Sequence, residues 1–258
     1  VLTAPPNRIP RQYMDANFLN RLNELSISEA ARQCLPGCES PQDFVRRLRD
    51  TNLDGDALKV LPILLPNRVA IWWGCLCVWD AQQSKTDKTR QSALEAIVHW
   101  VQLPSETHRR TCEHFGRVLG VSTSPGALAM AVFWSGGSIT APDQPYVPAP
   151  AGLAAKVVGA AVQAAAMERD PVHYHDHFRQ YLAIGLEVAA GRVLWTPSGT
   201  VADRPANPCP PLDAPEVNDR LQILHTGGHW LHGPHSSPRG VGAGLKHSPS
   251  LFAHKVLQ

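Results

Sequence analysis

No apolar run in this chain approaches the roughly 18 residues of a membrane-spanning helix, so membrane insertion is not expected. Charge is scarce too. Only 18% of the residues are Asp, Glu, Lys or Arg, and the formal net charge is +2, too small to argue for nucleic acid or an anionic membrane as partner. Acid is missing altogether after Arg220, where only Arg239, Lys246 and Lys255 carry charge; the first 220 residues hold 21 basic and 22 acidic side chains. No glycine-rich loop precedes a helix, so no phosphate cradle is visible. Ser135-Gly136-Gly137-Ser138 follows a helical stretch instead, where the dipole is negative. No nucleophile stands beside a base. The N-terminal Val1-Leu-Thr-Ala-Pro-Pro lacks a basic-then-apolar pattern, so export by that route is not expected. These absences leave no reaction legible in the residues.

What the chain does have is core. Hydrophobic residues make up 43% of its 258 positions, and the length suffices for one large domain or two small ones. Four of seven tryptophans, Trp72, Trp73, Trp79 and Trp134, and two of six cysteines, Cys75 and Cys77, lie in the segments Pro66–Asp80 and Phe133–Ser138. Reduced cysteine in such a setting behaves as a small hydrophobe, which points to a reducing, cytoplasmic environment.

Helix signals dominate. Ser26 with Glu29 reads as a capping box. Ser40-Pro41-Gln42-Asp43 is a second start, and Asp56 opens a short helix to Leu61, with a linker between Pro62 and Pro66. The next helix, about 66–83, is apolar nearly all round and belongs in the middle of a bundle; Gly74 would admit a neighbour closely. Further helices are expected at 87–103, 105–119, 124–134, 153–167 and from Asp170-Pro171 to Ala190-Gly191. Gly136 and Gly137 are placed to close the helix ending at Trp134, and Trp195 to cover the end of the core. Residues 139–150 carry four prolines and read as an extended, stiff connector. Nothing alternates with period two, so strands are not expected. After 196 the chain turns to Pro, Gly and His with few apolar anchors, and loose order is expected there.

The candidate chemistry is thin. His173, His175 and His177 with Asp176 could serve a metal, but on a helix only the i, i+4 pair His173 and His177 shares a face. The alternative is a polar first turn of a buried helix. His225, His229, His232 and His235 form a tract that would capture nickel, copper or zinc without a defined site. Cys34 and Cys38 with Cys75 and Cys77 have spacings unsuited to a four-thiolate zinc site. Arg46, Arg47, Arg49, Arg109 and Arg110 alternate with acids and read as solvated helix faces.

The motif order Leu64-Leu-Pro-Asn-Arg-Val-Ala-Ile-Trp72-Trp73-Gly-Cys75, Phe133-Trp134-Ser-Gly-Gly-Ser138, then Tyr181-Leu-Ala-Ile-Gly185-Leu-Glu-Val-Ala-Ala-Gly191, resembles a poorly characterised bacterial family of helical domains over about 20–196. Its members are associated with type VI secretion or related contractile-injection genes. The resemblance implies an accessory that works with other proteins. It brings no catalytic residue with it, and the three histidines lie outside its pattern. The segment after 205 falls outside it too, as lineage-specific sequence or a shifted reading frame.

The expected architecture is thus all-α: a single bundle of about seven to nine helices over 21–196, an arm at 1–20, and an extension at 197–258. The expected core is Trp72, Trp73, Trp79, Phe133, Trp134, Tyr181 and Trp195. The expected function is non-enzymatic protein binding without a cofactor, as adaptor or chaperone-like accessory of a secretion system. Candidate contacts are Pro145, Tyr146 and Pro148 of the connector and Leu221, Leu224, Trp230 and Phe252 of the extension. Two alternatives stand beside it: a metal-binding protein or metal-dependent enzyme using His173 and His177, and an immunity protein against a secreted toxin.

Overall fold

The structure, a computed structural model, describes residues 14–82 and 87–193. They form ten α-helices: α1 Ala16–Asn23, α2 Glu29–Gln33, α3 Pro41–Asp50, α4 Asp54–Val60, α5 Asn67–Gln82, α6 Lys88–Gln102, α7 Glu106–Leu119, α8 Ser124–Phe133, α9 Leu153–Arg169 and α10 Tyr174–Ala189. A 3₁₀ turn, Leu61–Leu64, joins α4 toward α5. Among the described residues there is no strand, only an isolated antiparallel bridge between Ser138 and Pro148. The all-α fold is the one expected.

Local caps set most of these boundaries. Ser40 Oγ accepts from the Asp43 amide at 3.1 Å and donates to its carboxylate at 2.7 Å, a reciprocal cap at the start of α3. Ser105 starts α7 by accepting from the His108 amide, and Asp87 starts α6 by accepting from the Thr89 and Arg90 amides. Four expected boundaries are corrected. α2 is capped by Ser28, not Ser26, and the Ser28 hydroxyl also donates to buried Asp56 at 2.6 Å. α4 starts at Asp54, two residues before Asp56. Pro62 lies in a buried 3₁₀ turn and not in a linker. α10 starts at Tyr174, because the Asp170 carboxylate accepts from the Val172 and His173 amides and so forms a turn before the helix begins.

The unbroken apolar surface of α5 dictates its position. It packs against α6, α8, α9 and α10, and Trp72 and Trp73 are fully enclosed. Their indole N–H groups donate to the Val193 and Tyr181 carbonyls at 3.2 and 2.9 Å, so burial leaves no donor unpaired there. A Cβ on Gly74 would lie 2.5 Å from a Leu128 methyl, which is the close approach of α8 that glycine permits. Phe133 and Tyr181 are buried, whereas Trp79, expected in the core, is corrected to half-buried: near the C-terminal end of α5 it packs against the core from its edge. Trp134 is a correction: it is the C-cap of α8, only half-buried, because the helix ends at Phe133 and the next side chain falls off the packed face. Trp195 lies outside the described residues.

One carboxylate gathers four helices. Glu168 of α9 accepts from the Ser124 amide of α8 at 2.7 Å, from Arg90 of α6 at 2.8 Å and from the Gln82 amide of α5 at 3.0 Å. It thereby satisfies an amide at the α8 N-terminus that its own helix cannot pair.

Candidate functional site

Among the candidate contacts inside the described residues, Pro145, Tyr146 and Pro148 fall on one loop, and its support begins in α7. Arg109 and Arg110 are neighbours there, one turn after Glu106. Arg109 is buried. Its guanidinium donates to both Glu106 oxygens at 2.7 Å, to the Phe133 carbonyl at 2.6 Å and to the Ser138 carbonyl at 2.9 Å. Arg110 donates to Glu106 at 2.8 Å, to Glu113 at 2.9 Å, and to the carbonyls of Ser138 and Thr140 at 3.0 and 2.6 Å. Both guanidinium carbons lie over the Phe133 ring, 4.7 and 5.3 Å from its centroid. The solvated-face reading of these two arginines is therefore corrected: their planar forks hold the chain that leaves α8.

The electrostatics follow. The Arg109 hydrogen bonds outweigh the cost of desolvation and, with those of Arg110, pull the Glu106 carboxyl down to about 2. Burial pushes the Glu113 carboxyl up, but bonds from Arg117 and Arg110 win and hold it below its ordinary value. The Phe-Trp-Ser-Gly-Gly-Ser motif now has a physical account. Phe133 is the ring beneath the arginines. Gly137 has φ +68, and a Cβ there would lie 2.9 Å from the Arg109 guanidinium.

Beyond Gly137 the connector is not extended, as expected from its prolines, but folded back on itself. The Ile139 amide donates to the Val147 carbonyl at 2.8 Å, and the Val147 amide donates to Ser138 Oγ at 3.0 Å. Thr140 Oγ1 donates to the Pro145 carbonyl at 2.7 Å, and the Gln144 amide to the Ala141 carbonyl at 3.0 Å. The polar side chains Ser138 and Thr140 supply the internal bonds that proline cannot. The tip stays in solvent: Pro145 and Pro148 are exposed, Tyr146 is 69% and Val147 42% accessible.

The histidines of α10 do not converge. His173 Nδ1 lies 2.9 Å from an Asp170 oxygen, which raises the His173 pKa and pulls the exposed Asp170 carboxyl down to about 2. His175 packs on Tyr174, while His177 faces Tyr181, its ring centroid 6.0 Å away. Buried Tyr181 and Asp80 work as internal ties. Tyr181 donates to Asp80 at 3.0 Å, and Arg169 donates to the Asp80 carbonyl at 2.8 Å. Burial pushes the Cys75, Cys77 and Cys112 thiols up, the last to about 12, so they stay protonated.

One grouping was invisible in the sequence. His99 of α6 and His108 of α7 face each other across a groove of about 330 Å³ lined also by Ser92, Glu95, Ala96 and Thr111. His108 stands nine positions after His99, and only the tight α6–α7 turn brings them together. Leu221, Leu224, Trp230 and Phe252 lie outside the described residues.

A family described as a family of unknown function (DUF6931) matches residues 44–189. No curated protein matches the chain. No solved structure matches it either.

Proposed function

Because the chain belongs to this family of unknown function, we propose its role from its own geometry: a non-enzymatic protein-binding module. The observation that carries the reading is the loop tip. Tyr146 and Val147 stand in solvent on a backbone that Arg109 and Arg110 fix from below. A preordered aromatic costs little entropy when a partner covers it, and tyrosine is among the residues that dominate binding energy at interfaces. The extension 197–258 adds Leu221, Leu224, Trp230 and Phe252 as further apolar contacts. The partner class implied by the resemblance of motifs is a component or cargo of a contractile-injection system, with a toxin as the immunity variant of the same idea.

The test places a photo-crosslinking residue at position 146 of the full chain in its native cell, with the same residue at exposed Gln91 as control. The protein captured at 146 is then purified and its affinity measured. Tyr146→Ala should weaken binding by about tenfold or more, and deletion of 205–258 should weaken it further. Equal capture at both positions, or affinity unchanged by Tyr146→Ala, overturns the proposal. Turnover of a substrate that survives both changes and dies with His173→Ala and His177→Ala would establish the enzyme reading instead.

A further inference from the structure

We propose that the groove between α6 and α7 binds one divalent transition-metal ion, zinc in chemical character, through His99 and His108.

The argument begins at His108, which is held twice. Its backbone amide donates to the Ser105 cap at 3.1 Å, and its Nδ1 lies 2.9 Å from the Leu103 carbonyl oxygen. A carbonyl can only accept, so Nδ1 carries a proton, and the ring in its neutral form presents its lone pair at Nε2. An imidazole whose second nitrogen donates to a backbone carbonyl is the arrangement that orients metal-ligating histidines. The opposite wall supplies the second ring. His99 is exposed, and its centroid lies 6.3 Å from that of His108.

A zinc–imidazole bond of about 2.1 Å puts a ring centroid about 3.2 Å from the ion, so two rings on one ion have centroids at most about 6.4 Å apart, and about 5.2 Å in a tetrahedral site. The observed pair sits at the outer end of that span, so a tetrahedral site requires the exposed His99 ring to move about 1 Å nearer to His108. Glu95 lies one turn before His99 on the same groove wall, its Oε1 accepting from Gln91 at 2.9 Å. Among the described residues no three His, Cys, Asp or Glu side chains converge as they stand. The ligand set is therefore the two imidazoles, with water or a turned Glu95 completing it. Two nitrogens and an oxygen suit a borderline ion and not calcium or magnesium.

The test must separate this groove from the four histidines of the extension. The full chain, without an affinity tag and with His225→Ala, His229→Ala, His232→Ala and His235→Ala, is titrated with zinc sulfate. Two readouts are followed: the melting midpoint, and carbethoxylation of each remaining histidine by diethyl pyrocarbonate, mapped by peptide mass spectrometry. Zinc at a hundredfold excess over its Kd should raise the midpoint by about 5 °C. It should protect His99 and His108 together. His99→Gln, at an exposed position that leaves packing intact, should weaken zinc about tenfold or more and abolish protection of His108. Absence of protection at His99 and His108, protection at His173 and His177 in their place, or zinc binding unchanged by His99→Gln overturns the proposal.

Discussion

Four hydrogen bonds leave the Arg109 guanidinium, and two of them end on a carboxylate that is itself mostly in water: the Glu106 side chain is 59% exposed. Its pH signature follows from the sign of the shift. The carboxyl falls from an ordinary 4.5 to about 2 on folding, so its stabilisation is complete above pH 4.5 and is lost as pH falls toward 2. Glu106→Gln should lower stability at pH 7 by about 1 kcal/mol, a figure already reduced for solvent screening. Denaturant melts of the two proteins should converge between pH 4.5 and pH 2; a gap that persists at pH 2 would mean that Glu106 acts through packing. The role of the arginines was illegible in the sequence for a definite reason. Their acids, three and four residues away, are local, whereas the carbonyls of Phe133, Ser138 and Thr140 come from 24 to 30 residues downstream. The His99–His108 pairing was hidden likewise, by a turn whose geometry no motif announces.

Within single elements the sequence was more readable. The α5 helix shows its central place in composition alone, since a stretch with no polar face has nowhere else to go. Serine caps were visible where the partner is three residues away, as at Ser40 and Ser105. They misled where a second serine stood two positions later with a tertiary partner, as Ser28 does with Asp56. Trp134 was misplaced because apolar character does not say where a helix stops. The two tryptophans should therefore separate. Trp73→Ala, which empties a fully buried site and removes the indole bond to the Tyr181 carbonyl, should cost about 3–5 kcal/mol. Trp134→Ala, at a half-buried cap, should cost about 1–2 kcal/mol. Equal losses of melting temperature would contradict this placement.

At the scale of the whole molecule, the last described residue matters most. Val193 is buried, and its carbonyl takes the Trp72 indole N–H, so the chain is still part of the core at that point. A chain ending at Thr196 keeps this contact and should unfold in one cooperative transition with an unchanged midpoint. Precipitation, or a broadened transition, would make the remaining residues part of the folding unit. The family match ends at 189, just before this closure, and begins at 44, after α1 and α2. The first two helices and Val193 thus flank the matched region without belonging to it, although Val193 closes onto Trp72 within it. Among the described residues no helix is long and apolar enough to cross a membrane.

The Glu168 carboxylate has a consequence for motion. Its oxygens bond to α5, α6 and α8 at once, and the bond to the Ser124 amide sits where a helix would ordinarily fray first. The first turn of α8 cannot loosen without releasing α9, and α9 cannot lift without freeing Arg90 and Gln82. Small, independent openings at this corner should therefore be rarer than at an ordinary helix N-terminus. The expected signature is a shared opening in which the start of α8 exchanges its amides together with α5, α6 and α9, so that a segment of ten residues takes on the lifetime of the bundle's centre.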